Sequence, residues 1–159
     1  MSSRTRGFSL LELLIVITVI LIIAAIAIPR LLTVKQMANS AAAVANLRSL
    51  DNALTAYSTQ YPAVGYPATM AALAGTGTTP SSTSALLTDT LLAGATAPDV
   101  AKQNYYFTYA PGSGTPVLTY GLNATPVGGT VSRTFFTDQT GEIHFHDGAA
   151  ASVGDPLIG

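Results

Sequence analysis

The sequence predicts an α+β fold: one long N-terminal α-helix, apolar in its first half and amphipathic in its second, packed on a small antiparallel β-sheet. Three observations predict it. After a short polar start, the chain is apolar from Phe8 to Ile28 apart from Ser9, Glu12 and Thr18. Apolar residues then recur at helical spacing from Met37 to Tyr57, and no glycine falls between Gly7 and Gly65. The last third changes character, with short aromatic and β-branched runs bounded by Gly and Pro, the pattern of strands.

The first element is long enough to cross a membrane. Phe8 to Ile28 at about 1.5 Å per residue spans roughly 32 Å, against a hydrocarbon core of about 30 Å. An ordinary secretory signal has a shorter apolar stretch followed by a small-residue cleavage site. Here the small residue, Gly7, precedes the stretch, and no Ala-x-Ala site follows before the helix continues. Arg4, Arg6 and the initial amine predict a cytoplasmic start, with everything after Pro29 on the far side, although Arg30 and Lys35 reduce the asymmetry. Glu12 stands out. A carboxylate at the centre of a spanning helix costs about 2.5 to 3.5 kcal/mol on insertion scales, so it calls for a partner and a role.

The run Arg6-Gly7-Phe8-Ser9-Leu10-Leu11-Glu12-Leu13-Leu14-Ile15-Val16 resembles the class III signal of type IV pilins and type II secretion pseudopilins, and the similarity extends to Pro29. The resemblance implies a pilin-like fold, cleavage between Gly7 and Phe8 by a prepilin peptidase, and methylation of the new amine on Phe8. It also implies five segments: a cleaved leader (1–7), a transmembrane and polymerisation helix (8–29), the amphipathic second half (30–60), a variable αβ loop (61–102), and the sheet with the C-terminal region (103–159). The expected partners are copies of the chain itself as a homopolymer, the peptidase, an inner-membrane assembly platform with minor pilins, and the membrane before assembly. The expected location is the inner membrane as precursor, then an extracellular filament or periplasmic pseudopilus.

Charge placement supplies a chemistry for assembly. A new α-amino group, of reference pKa about 7.7 to 8.0, would sit one helical turn from Glu12. It can pair with its own Glu12. In the family, the glutamate is held to neutralise the amine of an adjacent subunit, so the pair acts as a register device. The plainer alternative places Glu12 in water at the membrane edge.

Composition points away from several classes. Charged residues are only 9% of the chain, against about 25% in typical soluble domains, and the net charge is -1. Beyond Asn52, Lys102 and Arg133 face six carboxylates, which excludes charge-driven nucleic-acid binding. The absence of cysteine excludes disulfides and thiolate metal sites, a departure from the many type IV pilins that have a C-terminal disulfide. No Gly-x-Ser-x-Gly elbow, phosphate loop or His-Glu-x-x-His helix occurs, so neither an enzyme nor a cofactor is expected.

Beyond the apolar span, Pro29 lacks an amide hydrogen and is expected to kink the helix or open its ladder, with two separate helices as the alternative. Met37, Ala41, Val44, Leu47, Leu50, Leu54 and Tyr57 then form one stripe, and the helix should end near Gln60 to Pro62. From Tyr61 to Lys102 the composition predicts a surface loop. Short helices are expected at Thr69 to Ala74 and at Ser84 to Ala93, the latter capped by Ser84 and stopped by Gly94. Gly75 to Ser84 is of low complexity and reads as a polar linker, and Asn123-Ala124-Thr125 is a bare sequon.

Strand signals fall at Tyr105 to Tyr109, at Val117 to Ala124 with Leu118, Tyr120 and Leu122 on one face, and at Thr134 to Thr137 and Glu142 to Phe145 around the turn Asp138 to Gly141. They predict a meander of three or four strands. His144 and His146 share one strand face beside Asp147, and are expected to be solvent-exposed rather than metal-binding. The pseudopilin resemblance makes Asp138, Asp147 and Asp155 candidate calcium ligands, although no ligand spacing identifies a site and no metal is expected. Tyr57, Tyr61 and Tyr66 read as packing residues.

The expected function is that of a structural subunit that is cleaved, N-methylated and polymerised through its apolar helix into a type IV pilus-like filament. The nearest alternative is a type II secretion pseudopilin that forms a short periplasmic pseudopilus. A membrane-anchored binding module with an uncleaved signal anchor is the alternative of another class. A membrane-tethered hydrolase lacks a nucleophile and base.

Overall fold

The computed structural model describes residues 8–75, 77–128 and 133–158. Helix α1 runs Leu10–Gln60. The chain divides into two compact units, one up to Met37 and one from Ala38 onward.

In the first unit, every large apolar side chain of α1 is exposed, from Leu10 at 83% to Met37 at 67%. The helix stays unbroken through Pro29, so the two-helix alternative is not what is seen. Proline removes one amide from the ladder, and the hydroxyl of Thr33 donates to the Pro29 carbonyl at 3.2 Å. Thr18 likewise returns its hydroxyl to the carbonyl of Ile15 at 2.8 Å, which hides the one neutral polar group of the mid-span within the helix.

In the second unit, the rest of α1 buries Ala43, Leu47, Leu50, Ala53, Leu54 and Tyr57. The expected stripe is corrected at its start, because Met37 and Ala41 are exposed and Val44 is half-buried. At 100° per residue, position 41 lies nearly opposite position 43, so both cannot face the sheet. The sheet has four antiparallel strands in the order β1 (Tyr105–Pro111), β2 (Tyr120–Pro126), β3 (Arg133–Asp138) and β4 (Ile143–Asp147). Its register pairs Phe107 with Ala124, Leu122 with Thr137, and Phe135 with Phe145. Alternation puts Phe107, Tyr120, Leu122 and Phe135 into one cluster with Leu47, Leu50, Leu54 and Tyr57, the layered helix-on-sheet arrangement the sequence predicts.

Leu118 is a correction, at 69% exposed and outside β2. Its neighbour Val117 is drawn away from the meander to pair with the chain after α1. The Val117 amide donates to Val64 and its carbonyl accepts from Tyr66, both at 2.8 Å. Gly65, between those partners, takes φ +78°.

Residues 61–102 form more than a surface loop, since Met70, Leu73, Ala85, Leu92 and Ala95 join the core. The first expected helix is a 3₁₀ turn, Met70–Leu73. The second is corrected to a short α2, Thr90–Gly94, capped by Asp89 rather than Ser84, with the Leu92 amide donating to the Asp89 carboxylate at 2.6 Å. Residues after Ser84 are tied to the 3₁₀ turn instead. The amides of Ala85 and Leu87 donate to Ala72 and Leu73 at 2.8 Å, and Leu86 has φ 58°. Gly94 is the last residue of α2 and has no positive φ. The low-complexity stretch is also anchored, because Tyr57 donates its hydroxyl to the Ser82 carbonyl at 2.6 Å.

Candidate functional site

The sequence places the functional chemistry at the start of α1. Gly7 and the residues before it lie outside the described residues; Phe8 is exposed at 80%. The Ser9 amide donates to a Glu12 carboxylate oxygen at 3.0 Å, and the Leu11 amide donates to the Ser9 hydroxyl at 3.3 Å. These two bonds form a reciprocal capping box that satisfies two amides no helix carbonyl can reach. This cap is not among the sequence expectations. The signal was available as Ser9-Leu10-Leu11-Glu12 directly before an apolar run.

Glu12 therefore has a role within a single chain. Its negative charge lies where the helix dipole favours an anion, and one oxygen holds the backbone of Ser9. A protonated amine on Phe8 would lie one residue from that cap. Around it, α1 presents a continuous wall of exposed Leu, Ile and Val, long and apolar enough to cross a membrane.

In the sheet unit, the three aspartates considered for calcium serve separate partners. Asp138 accepts from the Thr140 amide at 2.9 Å and hydroxyl at 2.6 Å, and so closes the β3–β4 turn. Asp147 pairs with Arg133 at 2.9 Å, which holds its carboxyl below the usual range, and the guanidinium stacks 4.2 Å over the Phe145 ring. Asp155 pairs with His146 at 2.9 Å and accepts from the Ser152 amide at 2.7 Å and hydroxyl at 2.9 Å. His146 first, then Ser152, holds the Asp155 carboxyl low. Among the described residues, no three His, Asp or Glu side chains are grouped to hold a metal ion.

The reading of two exposed histidines is corrected, because His144 is buried at 7% exposed. Its Nδ1 faces the Asp155 carbonyl at 2.7 Å, and since a carbonyl only accepts, that nitrogen carries the proton. The C-terminal residues fold back along β4, with Phe145 donating to Pro156 at 3.0 Å and Ile158 to Ile143 at 2.9 Å. This strap of hydrogen bonds covers the edge strand. The tyrosines pack, as expected: Tyr57 lies 4.8 Å from Tyr61, and Tyr66 lies 4.7 Å edge-on to Tyr120.

Comparison with known proteins bears on the N-terminal site. Residues 2–28 match the family described as the prokaryotic N-terminal methylation motif. The chain carries a pilin- and pseudopilin-like N-methylation signal. It is also 38% identical, over 56 residues, to the Type II secretion system core protein G of Escherichia coli (strain K12). That match covers 35% of this chain and 39% of the relative, so the chain spans about two fifths of the protein it matches. No solved structure matches the chain.

Proposed function

We propose that the chain is the precursor of a structural filament subunit. Residues 1–7 are a leader removed after Gly7, Phe8 becomes an N-methylated terminus, and the helix to Pro29 resides in the inner membrane until it packs against copies of itself. The chain beyond Pro29 lies outside the membrane, with 30–60 as the amphipathic half of the helix and 61–102 and 103–159 as the rest of the folded head. The observation that carries this reading is the conjunction at one place of the methylation motif, a capped Glu12 and an uncovered apolar helix wall.

Assembly follows from solvent exchange. Lipid and neighbouring helices are equally apolar, so side-by-side packing gains from close contact rather than from escaping water. A charged terminus and a carboxylate cannot enter such a bundle singly, since an uncompensated buried charge costs several kcal/mol, about 3 to 5 when one partner of a buried pair is removed. Glu12 exchanging its Ser9 amide for the amine of an adjacent Phe8 removes both penalties and sets the axial step. Pro29 is where the ladder already lacks an amide, and so is the place for the helix to open in the filament. Electron microscopy of sheared filament fractions tests this reading. Wild-type chain should form filaments, whereas Glu12→Leu should be cleaved and inserted but left out of them. Normal filament yield from Glu12→Leu subunits alone would refute the mechanism.

The similarity to a type II secretion core protein favours a second reading, a short periplasmic pseudopilus with the same processing and packing. Deleting the chain separates the two: loss of surface fibres, twitching or adhesion marks a pilus, and loss of protein export with fibres intact marks a pseudopilus.

A further inference from the structure

The cations of the sheet unit are unequally served. Lys102 is held by Asp89 at 3.1 Å and Arg133 by Asp147 at 2.9 Å. Arg48, on α1, is exposed and has no ion-pair partner among the described residues. Its natural partner would be Asp51, three residues along the same helix. Asp51 turns instead to the β2 hydroxyl of Tyr120.

The unit's surplus is negative, and part of it lies at the β3–β4 turn. Glu142 is exposed there without an ion-pair partner among the described residues, and the Asp138 carboxylate accepts from Thr140 in the same turn. Asp51 approaches the same turn, its carboxylate oxygen 3.4 Å from where a Cβ on Gly141 would stand. One unit thus carries an unpaired guanidinium on its helix and, on its turn, an unpaired Glu142 beside Asp138, whose carboxylate has neutral partners but no cation, and it does not join them to each other.

We propose that a second copy of this chain joins them, with Arg48 of one subunit docking on the Asp138–Glu142 turn of its neighbour. This rests on the filament reading above. A planar guanidinium matches a carboxylate with two parallel donors, which fixes orientation as well as proximity. In a chain with so few charges, such a contact selects one register among the many that a featureless apolar helix permits.

The chain has no cysteine, so engineered thiols report without background. Full-length Arg48→Cys and Glu142→Cys subunits are co-expressed, and their filaments are oxidised and run on non-reducing gels. The proposal expects a crosslinked dimer in mixed filaments and none in either alone. It also expects Arg48→Glu and Glu142→Arg each to lower filament yield, with recovery when both are combined. Both positions are exposed, so the thermal midpoints of the single variants should stay at wild type. Wild-type filaments with no mixed dimer, and single variants that assemble at full yield, overturn the proposal and leave the filament reading standing. A wild-type chain that forms no filament removes both.

Discussion

Tyr120 on β2 donates its phenolic hydrogen to the Asp51 carboxylate on α1, a hydrogen bond between sheet and helix inside the second unit. The Tyr120 ring is nearly buried, and the Tyr66 ring meets it edge-on at 4.7 Å. Burial first, then the Asp51 hydrogen bond, raises the Tyr120 pKa far above that of free phenol.

Tyr120→Phe keeps the ring and removes the donor. A hydrogen bond to an ionised partner contributes about 1.5 to 3 kcal/mol, and Asp51 is only half-buried, so the loss should fall near the lower figure. Urea unfolding checks this: the midpoint should fall with no change of slope, and an unmoved midpoint would mean that the bond contributes nothing.

Stability should decline in alkali. Tyr57, Tyr105, Tyr109 and Tyr120 all have raised pKa values, with burial the largest cause in each. The folded chain thus keeps protons that the unfolded chain releases near pH 10, so their contribution is complete below about pH 10 and is lost as pH rises beyond it. Unfolding midpoints between pH 8 and 11 should be level and then drop. A level profile throughout would contradict these burial assignments.

Gly65→Ala should be severe. At φ +78°, an added Cβ would stand 2.1 Å from the Val117 carbonyl oxygen, which is part of the clasp between residues 64 and 66 and Val117. Left-handed strain alone costs about 1 to 3 kcal/mol, and the clasp must also part. Gly94→Ala is the control, with nothing within 4 Å of the added carbon. Equal unfolding midpoints for the two variants would show that the clasp is dispensable.

Much of this was readable beforehand, and the failures share a cause. The long helix and the β3–β4 hairpin follow from local rules: a 3.6-residue period, and a turn whose Gly141 takes φ 75°. Ser84 is not the expected cap because its neighbours bond to the 3₁₀ turn before it, a pairing with no periodic trace. Leu118 and His144 each depart from the expected exposure for the same reason. Val117 is claimed by Val64 and Tyr66, and the C-terminal strap covers His144, and both contacts are set by tertiary packing. At the start of α1, the Ser9–Glu12 cap is legible from its spacing, although the sequence expectations do not include it.

The strap itself is testable. Asp155→Ala removes the acceptor shared by His146 and Ser152 while leaving the Asp155 carbonyl that holds His144. Amide exchange of Phe145 and Ile158 should quicken, and exchange in Leu47 to Leu54 should not. The Asp155 carboxyl is held low in the folded chain, so its contribution is present above about pH 4 and lost as pH falls below that. Unchanged exchange at Phe145 would mean that backbone pairing alone holds the strap.

The central claim is that the apolar helix begins a processed, self-assembling subunit. Intact-mass and N-terminal peptide mass spectrometry of the mature protein tests it most directly. The account predicts a chain that starts at Phe8 and bears one added methyl on its amine. A mature protein that retains Gly7 and the residues before it would contradict the account and leave an uncleaved membrane anchor in its place.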